Sequence, residues 1–75
     1  MIRYECTNKH GQRLIAYIDQ TTLDTSGDYI VTVDMQDWET GKWLHEWSKR
    51  YTTLKGAEKG LLKRYPNMKR ERAER

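Results

Sequence analysis

Cysteine occurs once in these 75 residues, proline once, and no apolar run approaches the roughly 20 residues that a membrane-spanning helix needs. With Cys6 alone, an intramolecular disulfide is excluded, and so is any zinc site built on paired cysteines. The N-terminus lacks the basic-then-apolar order of a signal peptide, so the expectation is a protein of the reducing cytosol. Apolar residues are also scarce, at 36% with a mean hydropathy of −1.05. A chain this short buries only a little over half of its unfolded surface, which leaves small room for an enclosed active site. Three tryptophans and five tyrosines supply contact area that the low apolar fraction does not.

One stretch, Thr52 to Pro66, has a clear helical period. Leu54, Ala57, Leu61, Leu62 and Tyr65 fall at i, i+3, i+7, i+8 and i+11, forming one stripe that is expected to be buried. Thr53 or Thr52 can cap the first turn, and Pro66 disfavours helical geometry at Tyr65. Gly56 and Gly60 weaken this helix by roughly 1 kcal/mol each relative to alanine, so a sheet must hold it. Upstream, Ile2–Thr7, Gln12–Asp19, Asp28–Gln36 and Trp43–Tyr51 alternate with period 2 and read as strands. The turns at Asn8–Gly11 and Asp37–Lys42 each carry a glycine suited to positive φ, and Gln20–Gly27 reads as a loop. Within Trp43–Tyr51 the alternation puts Trp43, His45, Trp47, Lys49 and Tyr51 on one face. The expected fold is α+β: a three- to four-stranded antiparallel meander with one C-terminal helix across the Val31/Val33/Trp47 face. Residues 1–66 form the domain, and 67–75 read as a charged, basic tail, frayed or disordered.

The net charge of +3 divides unevenly. Up to Trp47 there are four basic and eight acidic residues, and from Ser48 onward ten basic and three acidic. Such asymmetry hints at a polyanionic partner, although many charge runs are only solvated faces. Lys55, Lys59 and Lys63 stand at i, i+4 and i+8, a ridge pointing away from the apolar stripe, with Gly56 and Gly60 beside it leaving backbone open to a phosphate. Arg64, Lys69 and Arg70 can extend it. Catalytic chemistry has little support. Ser26 and Ser48 lack a nucleophile context, His10 and His45 are not spaced as ligands, and Asp34, Asp37 and Glu39 surround a turn that favours aspartate. No enzyme activity, metal or cofactor is expected.

The segment Gly41–Leu62, G-K-W-L-H-E-W-S-K-R-Y-T-T-L-K-G-A-E-K-G-L-L, resembles the strand-to-helix part of the AP2-like, arm-type DNA-binding domain of phage tyrosine integrases. The likeness rests on Gly41-Lys42, Tyr51-Thr52 and Ala57-Glu58. It implies a sheet-plus-helix fold and a mobile-element origin. It does not carry over the family's DNA-facing sheet, because the strands here are acidic.

Two functions follow as expectations. The first is a small non-enzymatic module that binds nucleic acid through Lys55, Lys59, Lys63, Arg64, Lys69 and Arg70. The second is a small protein-binding regulator or inhibitor, of phage type, that uses Trp38 at a hairpin tip or Tyr17, Ile30 and Leu44 on the sheet face opposite the helix. No membrane contact is expected. Exposed aromatics adjacent to the lysine ridge favour nucleic acid, and aromatics away from it favour a protein.

Overall fold

A computed structural model describes residues 2–20 and 28–71; of the expected loop Gln20–Gly27, Gln20 ends a strand and 21–27 lie outside the described part, as do the first residue and the last four. Five strands form one antiparallel sheet: β1 (Ile2–Thr7), β2 (Arg13–Gln20), β3 (Tyr29–Gln36), β4 (Trp43–Tyr51) and β5 (Lys69–Arg70), in the spatial order β4-β3-β2-β1-β5. The helix α1 (Leu54–Arg64) follows β4 directly. The fold class is α+β as expected, with one strand more than the sequence indicates.

Alternation decides what each strand buries. Tyr4, Leu14, Ala16, Ile18, Val31 and Val33 point to the same side and meet Ala57 and Leu61 of the helix in one core. Thr53 caps α1 as its sequence position suggests: its hydroxyl accepts from the Gly56 amide at 3.0 Å. At the other end the Tyr65 amide donates to the Leu61 carbonyl, and the chain turns at Pro66. Gly11 and Gly41 both adopt positive φ in the turns after β1 and β3, the conformation an L side chain resists.

Four features correct the reading from sequence. Met68, assigned to the tail, is buried in the core, and Lys69 and Arg70 pair with Glu5 and Tyr4 on the edge of β1. Leu62, assigned to the buried stripe, is 40% exposed, because it lies on the flank of the helix rather than beneath it. The backbone beside Gly56 and Gly60 is not open. The Tyr51 ring lies over Gly60 so closely that an added Cβ would meet its hydroxyl at 2.0 Å. The fourth is a bulge in β4. Val33 pairs with Trp47 but the next residue, Asp34, pairs with His45, so Glu46 is the extra residue and the alternation reverses across it. Trp43 and His45 therefore leave the Trp47 face for the open side of the sheet. Leu44, expected on the open side, turns to the helix side opposite Met35.

Candidate functional site

The predicted nucleic-acid residues are only partly brought together. Lys55, Lys59 and Lys63 are exposed along the outer side of α1, and none has a carboxylate partner among the described residues. The sheet's bases are engaged instead: Arg13 pairs with Glu5 at 2.8 Å, Arg50 with Asp28 at 3.0 Å, and Arg3 with Glu71. Arg64 is partly committed, its guanidinium 5.1 Å from the centre of the Trp47 ring and 5.9 Å from that of Tyr65. Lys69 and Arg70 sit on β5, at the far edge from β4, and alternate to opposite faces.

The flank of α1 nearest β1 is closed by a polar lock. The buried Tyr4 hydroxyl donates to the Glu58 carboxylate at 2.5 Å. Burial and that hydrogen bond push the Tyr4 phenol up to about 12. Cys6 is likewise pushed above its ordinary value, mainly by burial, which disfavours a reactive thiolate.

The predicted protein-binding residues scatter in a different way. Tyr17 and Ile30 share the open face of the sheet, where Ile30 is 37% exposed. Ile15, on the same face, is buried although no helix covers it. Trp43 joins that face, and the Arg13 guanidinium lies 5.6 Å from its ring centre. Trp38 projects from the β3–β4 turn with 66% of its surface exposed. The turn itself is closed by hydrogen bonds: the Asp37 amide donates to the Lys42 carbonyl, the Gly41 amide to the Asp37 carbonyl, and the Asp37 carboxylate accepts from the amide and hydroxyl of Thr40.

Leu44 marks a feature that sequence reasoning missed. Cys6, Leu14, Met35 and Leu44 are successive cross-strand partners, one apolar row running across β1, β2, β3 and β4 on the helix side. Leu14 belongs to the core, Cys6 and Met35 are half-buried against it, and only Leu44 lies beyond the cover that the helix end gives. Cys6, Leu14 and Met35 floor a groove of about 310 Å³, bounded by the β1–β2 turn, by the end of α1 and by the bulge at Glu46. Toward the β4 edge the row opens to solvent, with Leu44 50% exposed. Of the five large apolar residues that are exposed among the described residues, Trp38, Trp43 and Leu44 fall within this one hairpin end.

No protein-family model, curated protein or solved structure matches this chain.

Proposed function

We propose that this protein is a small non-enzymatic binding module whose β3–β4 hairpin end engages a protein partner, as a regulator or inhibitor does. One observation carries this reading: the most exposed large apolar side chain, Trp38, stands on a hydrogen-bonded turn with Trp43 and Leu44 close behind it. Binding energy at protein interfaces concentrates in a few such anchors, with tryptophan prominent among them, and a turn closed by hydrogen bonds loses little entropy when it docks. The placement supports the same reading, since Trp38 and Trp43 lie at the tip and on the open face, whereas the lysine ridge lies on the outer side of α1. The test is affinity capture from nuclease-treated lysate, with each captured protein then titrated in purified form. Trp38→Ala is expected to abolish binding, and Lys55/Lys59/Lys63→Glu to leave it intact. Equal binding by wild type and Trp38→Ala would remove the hairpin from the reading.

A second reading keeps its own support. Lys55, Lys59 and Lys63 remain without acidic partners among the described residues, a row of charge suited to phosphates. Here the triple lysine-to-glutamate variant abolishes binding to nucleic acid, Trp38→Ala does not, and wild-type affinity falls steeply between about 50 and 200 mM salt.

A further inference from the structure

The groove and the hairpin tip match each other in chemistry. The groove has an apolar floor, and its rim carries two cations, Lys9 and Arg64, against one acid, Glu46. The tip reads Asp37-Trp38-Glu39, an indole between two carboxylates. An apolar anchor flanked by acids is what a dry floor with a net positive rim accepts. From these observations we infer that the tip of one copy of this chain seats in the groove of a second copy, reciprocally, to form a two-fold dimer. This rests on the reading of Trp38 as a protein-binding anchor, and it names the chain itself as the partner.

Placement favours reciprocity. Leu44 and Met35 pair in the last part of the β3–β4 ladder, and Gln36 and Trp43 close that ladder just before the turn. Tip and groove therefore open at the same end of the molecule, as a self-complementary patch requires when each copy must both give and receive. The tip does not fill its own groove: Trp38 is not among the groove's lining residues and is 66% exposed. Glu39 is exposed and has no ion-pair partner among the described residues, so its charge is available to the facing rim. One tip and one groove on each copy make a small contact, so a reversible, concentration-dependent dimer is expected rather than a permanent one.

Sedimentation equilibrium over a micromolar concentration series reads this directly. Wild type is expected to pass from monomer to dimer, with Trp emission shifting to the blue as the Trp38 indole leaves water. Trp38→Ala is expected to stay monomeric. Lys9→Glu and Glu39→Lys are each expected to weaken self-association, since rim and tip then carry like charge. Mixing the two variants restores opposite charge at both contacts, so the mixture is expected to dimerise where neither variant does alone. Wild type that remains monomeric throughout, or a mixture no better than its parts, overturns the inference. If wild type is monomeric and Trp38→Ala still loses a captured partner, self-pairing fails while the protein-binding reading stands. If Trp38→Ala changes neither self-association nor capture, both fall.

Discussion

The inner face of β1, β2 and β3 is apolar along its length, yet its two ends differ in what lies on them. Around Val31, Val33 and Tyr51 the helix covers the strands, and Ala57 and Leu61 are fully buried there. In the row Cys6, Leu14, Met35 and Leu44 the side chains are just as apolar, but α1 has ended and exposure rises toward β4. The covered end supplies the stability of a small domain. The bare end, at Leu44 and the β3–β4 turn, is where apolar surface remains to meet something else.

Variants can break or sharpen that contrast. At the covered end Leu61→Ala is expected to cost about 2–5 kcal/mol, a large share of what a domain this small has, and a thermal melt measures it. Gly60→Ala is next: the ring of Tyr51 occupies the space of the new methyl, and overpacking of this kind costs roughly 1–3 kcal/mol, offset by up to about 1 kcal/mol of helix propensity. A stabilised Gly60→Ala variant would show that Tyr51 moves aside freely. The Tyr4–Glu58 lock gives a pH dependence. Because the folded phenol titrates near 12 rather than at its ordinary 10, folding holds the proton more tightly than the unfolded chain does. The contribution of burying Tyr4 and bonding it to Glu58 is complete below pH 10 and is lost as pH rises through 12, on the order of 3 kcal/mol. Denaturation at a series of alkaline pH values checks this, with Tyr4→Phe expected to flatten the profile. The smallest effect belongs to the bare end. Trp38→Ala is expected to change stability by no more than about 0.5 kcal/mol, whereas Trp47→Ala, which loses the edge-on contact with Tyr65 and the Arg64 stack, lowers the melting temperature clearly. Equal melting temperatures for the two variants would erase the distinction between the two ends.

Much of the covered end was legible. Thr53, the Leu54/Ala57/Leu61 spacing and Pro66 mark the helix, and alternation in β1, β2 and β3 assigns their faces, because each is a local pattern with one physical cause. The bulge at Glu46 was not legible, since it depends on how β4 meets β3 rather than on any residue type, and it misplaced Trp43, His45 and Leu44. β5 is two residues long and has no period to read; burial of Met68 and the Arg3–Glu71 pair, neither visible in the sequence pattern, return the chain to β1. Of the candidate site, Trp38 was visible as the projecting residue of a turn. The groove was not, because segments far apart in the sequence build it.

The pairing of Lys69 and Arg70 with Glu5 and Tyr4 has a consequence for how the chain folds. It joins the second residue pair of β1 to residues near the far end of the chain, one of the longest loops this protein closes, and such contacts form slowly because chain entropy is lost before they repay it. Until then the outer edge of β1 is a row of unpaired amides and carbonyls, the template on which strands of neighbouring molecules add. During synthesis that edge emerges well before its cover, since β5 follows every other strand and the helix in chain order. The two residues of β5, slight as an element, therefore end the interval in which a newly made chain is most prone to aggregate.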